Sequence, residues 1–163
     1  MILLRGTWII LKFVKDKDNL LSYNRWSCGD YSNNLNGFIK RPSDTCNYEL
    51  SDEWSSNGKY SIKFTGSNWD WIGYQLEGFT STAKQVQVAM NININNNARA
   101  YLDIVYSDNE TQTTSVDIIQ SGIQTLTLTV DSSKTINRLS FRVTLLADNI
   151  SCYIDNIILK EIQ

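Results

Sequence analysis

Along most of the chain, apolar and polar side chains alternate one for one. The run QVQVAMNINI places Val86, Val88, Met90, Ile92 and Ile94 on one face and Gln85, Gln87, Ala89, Asn91 and Asn93 on the other. A period of two is the signature of an extended strand with one buried side. In ARAYLDIVY, Ala100, Leu102 and Ile104 oppose Arg99, Tyr101 and Asp103, with the smaller aliphatics predicted to face the core. QTLTLTV sets Leu126, Leu128 and Val130 against Thr125, Thr127 and Thr129. NRLSFRVTL sets Leu139, Phe141, Val143 and Leu145 against Arg138, Ser140, Arg142 and Thr144. Turn-forming clusters separate these runs: NNNAR, SDNETQ, QSG, DSSKT and ADN. No segment sustains a helical period. Short strands with one apolar face each predict an all-β fold, two antiparallel sheets packed face to face as a β-sandwich. Residues 31–56 read differently, as a long loop of Asn, Gly, Pro and Asp in which Tyr48 and Trp54 are scattered.

Composition narrows what such a sandwich can do. At 163 residues the chain is long enough for one domain with a full core. A net charge of -2 gives no footing for nucleic acid or an anionic membrane. The sequence contains no histidine, which excludes Ser-His-Asp and Cys-His catalysis and the usual zinc sites. The three cysteines, Cys28, Cys46 and Cys152, have no CxxC spacing. Cys28 and Cys46 flank a loop and are read either as a disulfide or as two free thiols, and Cys152 as a small buried hydrophobe. The opening stretch MILLRGTWIILKFV carries Arg5 and Lys12 among its apolar residues and is followed by no small-residue cleavage site. It therefore reads as an extra strand or interface segment rather than a signal peptide or membrane span.

Candidate chemistry centres on the stretch GSNWDWIGYQL, where Trp69 and Trp71 flank Asp70 among turn residues. Trp69 reads as an exposed platform or as a plug over the sandwich end. Trp71, sent to the side opposite Ile72 and Tyr74, reads as a second platform or as a cap on the core edge. The outward strand faces offer Gln87 and Asn91, Tyr101 and Asp103, and Arg138 and Arg142. Arg138 and Arg142 share a face with Ser140 between them. Aromatic rings beside fork-shaped polar side chains are what a sugar needs, because a pyranose ring has apolar C–H faces and a rim of hydroxyls. The same arginines also read as solvated charges paired with Asp103.

Three motifs in order resemble a known family. NLLSYNRWS at residues 19–27, GKYSIKFTGSNWDWIGYQLEGF at 58–79 and CYIDNIILKEI at 152–162 resemble landmarks of the jelly-roll carbohydrate-binding modules of families four, nine and twenty-two. The resemblance covers roughly residues 18–163, leaving 1–17 as an N-terminal extension. It implies a galactose-binding-like jelly roll that holds glycan chains in a groove on a concave sheet without cleaving them. It further implies that Trp69 stacks on a sugar ring and that Asp155, in the closing strand, sits at a structural calcium. The family's opening Glu, a calcium partner, is Ser27 here, a departure from the pattern.

The expected function is non-catalytic polysaccharide or glycan binding, outside the cell or on a virion surface. The alternative is a structural or adhesive jelly roll in a larger surface assembly, such as a phage tail or cell-surface adhesin, with the N-terminal segment against a partner chain. Carboxylate pairs for an enzyme can be drawn from Asp70, Glu77 and Asp103, but nothing in their spacing selects one.

Overall fold

The computed structural model describes Leu35 and residues 38–79 and 81–162. Ten strands occur among these residues: β1 (Phe38–Lys40), β2 (Asn47–Ser51), β3 (Ser61–Gly66), β4 (Trp71–Glu77), β5 (Gln85–Ile94), β6 (Ala98–Tyr106), β7 (Thr111–Ile118), β8 (Gly122–Thr129), β9 (Ile136–Leu145) and β10 (Ile150–Ile162). They form two five-stranded sheets, ordered β1-β4-β9-β6-β7 and β2-β3-β10-β5-β8. Every pairing is antiparallel. The expected all-β sandwich is therefore present. No helix among the described residues is long and apolar enough to cross a membrane.

The alternation seen in the sequence is the alternation of burial. Val86, Val88, Met90 and Ile92 of β5 face Ala100, Leu102 and Ile104 of β6 and Leu139, Phe141 and Val143 of β9 across a single core. Below β1, β4 and β9 an aromatic trio stiffens this core: Phe38 meets Tyr74 and Phe141 edge-on at 5.6 and 6.1 Å, and Tyr74 stacks on Phe141 at 6.3 Å. Such pairs add to the burial of their area.

Residues 31–56 do not form one long loop, at least over the part described. β1 and β2 lie within it, of only three and five residues. The loop after β2 folds across the outer face of its own sheet. Trp54 leans on Tyr153 of β10, ring centroids 6.2 Å apart, and Glu53 accepts from Lys63 and from the Tyr153 hydroxyl. Beneath this loop β10 carries a bulge. Asp155 pairs with Asn91 and Ile158 with Ala89, so β10 uses one residue more than β5, and Asn156 takes a left-handed φ of 49°. The extra residue shifts the alternation, which brings Ile157 and Leu159 inward after Ile154.

Tyr106 ends β6 fully buried, with a hydroxyl that joins three segments. It donates to Gln112 and accepts from the backbone N–H of Asp131 at 2.8 Å. Tyr106→Phe keeps the ring and orphans both partners, so a loss of about 1–2 kcal/mol is expected in urea denaturation. An unchanged midpoint would show that water takes over both bonds.

Cys46 and Cys152 are free and buried in the core. Burial, and then the negative charge of Asp70, push the Cys46 thiol up to about 11, and burial alone raises that of Cys152. Cys28, Trp8, Trp26, Ser27 and the 1–17 extension lie outside the described residues.

Candidate functional site

Four strands of the β1-β4-β9-β6-β7 sheet carry a polar outer face whose rows follow from the register. Trp71, Thr144, Arg99 and Asp117 form one row. Gly73, Arg142, Tyr101 and Ser115 form the next, then Gln75, Ser140, Asp103 and Thr113, then Glu77, Arg138, Val105 and Thr111. A cleft of about 340 Å³ crosses these rows, lined by Trp71 and Gln75 on one side, Arg138, Ser140 and Arg142 in the middle and Asp103, Thr111 and Thr113 beyond.

Gly73 sets how closely β4 and β9 pack beneath this face. A Cβ there would lie 2.4 Å from the Phe141 carbonyl oxygen and 2.9 Å from the Arg142 Cβ, closer than atoms tolerate. The bare backbone lets β4 approach β9.

The turn before β4 sets where Trp71 begins. Asp70 N–H donates to the Ser67 carbonyl at 3.0 Å, and Ser67 N–H donates to Asp70 Oδ2 at 2.9 Å. Trp69 sits at the crest with φ 71°, a conformation uncommon for a non-glycine residue. Its backbone is held from both sides, the N–H by the Leu145 carbonyl at 2.9 Å and the carbonyl by Arg41 Nη2 at 2.8 Å. The indole itself is 56% exposed and does not line the cleft. Trp71 N–H donates to Asp44 Oδ2 at 3.2 Å. Of the two tryptophans, Trp71 walls the cleft, and Trp69 is exposed on the turn outside it.

In the middle of the face, Arg142 and Asp103 are committed to each other. Nη1 of Arg142 donates to Asp103 Oδ2 at 2.6 Å, and Thr113 Oγ1 donates to Oδ1 at 2.7 Å. The guanidinium lies over the Tyr101 ring, 4.1 Å from its centroid, which covers one aromatic face. Asp103, 5% exposed, positions Arg142 rather than presenting a free carboxylate. Arg138 has no such partner. It is in no ion pair among the described residues, and its buried Nε has no hydrogen-bond acceptor.

Gln87 and Asn91 do not join this constellation. Both lie on β5, in the other sheet, where Gln87 donates to Thr127 at 3.0 Å. Alternation shows that both point away from the core but not that their sheet is the opposite one. Gln75, Thr111 and Thr113 were not singled out from the sequence. Gln75 was within reach, since Trp71, Gly73 and Gln75 share one phase of β4.

Two places invite the question of a metal ion. Asp155 is fully buried, and its carboxylate is already full of donors. Oδ2 accepts from Ser56 N–H at 2.7 Å, Ser56 Oγ at 2.7 Å and Asn57 N–H at 2.9 Å, and Oδ1 accepts from Asn156 N–H at 2.7 Å. Hydrogens converging on both oxygens do not fit calcium, which needs six to eight oxygens around it. Asp44, Cys46 and Asp70 bring ligand atoms within 4.8 Å of one another. Their atoms too are engaged, Asp44 Oδ1 with Arg41 Nε at 2.8 Å, Asp70 Oδ2 with Ser67 N–H at 2.9 Å, and the Cys46 thiol with the Trp71 carbonyl at 3.9 Å. This cluster is the hydrogen-bonded seat of the turn that carries Trp69.

With the geometry in place, likeness to known proteins becomes informative. No protein-family model and no curated protein matches the sequence. Solved structures do. The CBM22-1 xylan-binding domain from Paenibacillus barcinonensis Xyn10C superposes with a TM-score of 0.61 at 13% identity, covering 84% of this chain and 97% of that one. A family 16 carbohydrate-binding module gives 0.55 at 12% identity, over 70% of this chain and 85% of that one. The chain has the jelly-roll fold of carbohydrate-binding modules. The same jelly roll also matches part of the tailspike protein 4 enzymatically active domain of bacteriophage CBA120, with a TM-score of 0.65 at 9% identity. That match covers 79% of this chain but only 20% of the tailspike chain.

Proposed function

We propose that this jelly roll binds a glycan chain, without cleaving it, in the cleft across β4, β9, β6 and β7. The observation that carries the reading is the placement of Trp71 beside Gln75, Ser140 and Arg138 on one open sheet face. The indole offers an apolar platform to the C–H face of a sugar ring, and the polar side chains meet hydroxyl pairs on its rim. Hydrolysis of a glycosidic bond calls for two opposed carboxyl groups. Among the described residues lining the cleft, Asp103 is the single carboxylate, and it is bound to Arg142 and Thr113. The fold shared with xylan-binding and other carbohydrate-binding modules supports the same reading. Such a binder works where glycans are met, outside a cell or on a virion.

A glycan array with the purified chain, followed by calorimetry on the best ligand, tests it. Burying one face of an indole contributes about 1.5–3 kcal/mol, so Trp71→Ala is expected to weaken binding roughly ten- to a hundredfold. Trp69→Ala is expected to change affinity less than about threefold. The reverse order of effects would move the site to the turn, and an array with no ligand would remove the reading.

The second reading, a jelly-roll module of a larger surface assembly, is supported by the fold shared with a fifth of the phage tailspike chain. It predicts concentration-dependent self-association without sugar binding, which sedimentation at several concentrations measures.

A further inference from the structure

We propose that the cleft prefers an anionic glycan, one bearing carboxylate or sulfate groups, and that Arg138 is the residue that recognises the charge. This rests on the glycan-binding reading of the same cleft and names its ligand class.

The charges lining the cleft are Arg138, Arg142 and Asp103, two positive against one negative, in a chain whose net charge is -2. Arg142 is neutralised by Asp103 at 2.6 Å, so the surplus belongs to Arg138. Acceptors for Arg138 are near in register and do not reach it. Glu77 is its partner across β4, yet the two form no ion pair, and its neighbour across β6 is Val105, which offers the guanidinium nothing. The Nε–H is sealed from solvent with no acceptor.

An ionic donor left unpaired and half-withdrawn from water is costly, and the same partial desolvation strengthens its attraction for an incoming anion. A guanidinium presents parallel N–H groups whose spacing matches the two oxygens of a carboxylate or sulfate. Hydroxyls of Ser140, Thr111 and Thr113 surround it and suit the uncharged part of a sugar. A neutral glycan would satisfy the hydrogen bonds and leave the charge uncompensated.

The test is calorimetry on the intact chain with oligosaccharides matched in backbone and differing in charge. One pair is an oligogalacturonate and its methyl ester, and the other a sulfated galactan oligosaccharide and its desulfated form. Tenfold or tighter binding of the acidic member in either pair is expected, and the pair that shows it distinguishes carboxylate from sulfate. Arg138→Gln should abolish the preference, weakening the acidic member at least about tenfold more than the neutral one. Arg138→Lys should keep part of it, and Lys84→Gln, an exposed charge away from the cleft, should keep all of it. Should Arg138→Gln fold poorly, salt decides on the parent chain, since added sodium chloride must weaken the acidic member alone. Equal affinity within both pairs, or a preference undiminished in Arg138→Gln, overturns the proposal and leaves glycan binding standing. No binding to any member by a chain that binds a neutral glycan on the array overturns the proposal alone, and an empty array overturns both.

Discussion

Asp155→Ala is expected to lower stability by about 3–5 kcal/mol, because several buried donors, each costing about 1–3 kcal/mol when unsatisfied, lose their acceptor at once. Four donors converge on this carboxylate, and alanine leaves all of them facing a void. Three of the four come from Ser56 and Asn57, so the change also releases the loop that covers the outer face of β10. The bulge loses its own tie through Asn156, whose left-handed backbone the carboxylate helps to hold. Against a total stability of about 5–15 kcal/mol for a domain, that is a large share. Asp155→Asn, which can still accept the three loop bonds through one oxygen, should lose less. Urea denaturation followed by tryptophan fluorescence gives both values. A loss under about 1 kcal/mol for alanine would show that water replaces the carboxylate and that the loop is not anchored there. The same donor set predicts that chelators leave the parent midpoint unmoved.

Gly73→Val is the second large effect. Even a single Cβ would fall 2.4 Å from the Phe141 carbonyl oxygen, a backbone atom inside the β4–β9 ladder that cannot swing aside. The two strands must separate, at a cost of about 3 kcal/mol or more. Separation also shifts Ser140 and Arg142, which β9 holds in the cleft, so a variant that folds at low temperature should still lose its ligand. Gly73→Ala grades the effect, because it brings the same first clash with less bulk behind it. A valine variant as stable as the parent would mean that the ladder flexes there and that the close β4–β9 approach is not an inherent part of the face.

How far all this was legible depends on what each element buries. β5, β6, β8 and β9 declared themselves because each carries a run in which apolar and polar residues alternate often enough for a period of two to show. β1, of three residues, and β2, with its pattern NYELS, are edge strands whose pairing comes from tertiary context. β7, TQTTSVDI, begins inside the polar cluster read as a turn, and only Val116 and Ile118 mark its inner side. For the site, phase was enough to bring Tyr101, Asp103, Arg138 and Arg142 to one face, because their strands proved to be neighbours. The same phase misplaced Gln87 and Asn91, since alternation distinguishes inside from outside and is silent on which sheet a strand joins. Alternation put Trp71 on the outer phase of β4, whereas the place of Trp69 turned on one backbone angle at the crest of a turn, which no hydrophobic pattern encodes.

The strand order bears on how such a chain comes into being. Remove β9 and β10 and each sheet falls into two isolated ribbons, β1-β4 and β6-β7 in one, β2-β3 and β5-β8 in the other. Two-stranded ribbons are at best marginally stable in water. The keystones are the last two of the ten strands to leave the ribosome. During synthesis the chain therefore holds apolar ribbon faces that nothing yet covers, and both sheets close together, late, through contacts between distant residues. That order favours slow, all-or-none folding and exposes nascent chains to aggregation. It also means that a premature stop anywhere before Ile150 removes the centre of a sheet rather than its edge.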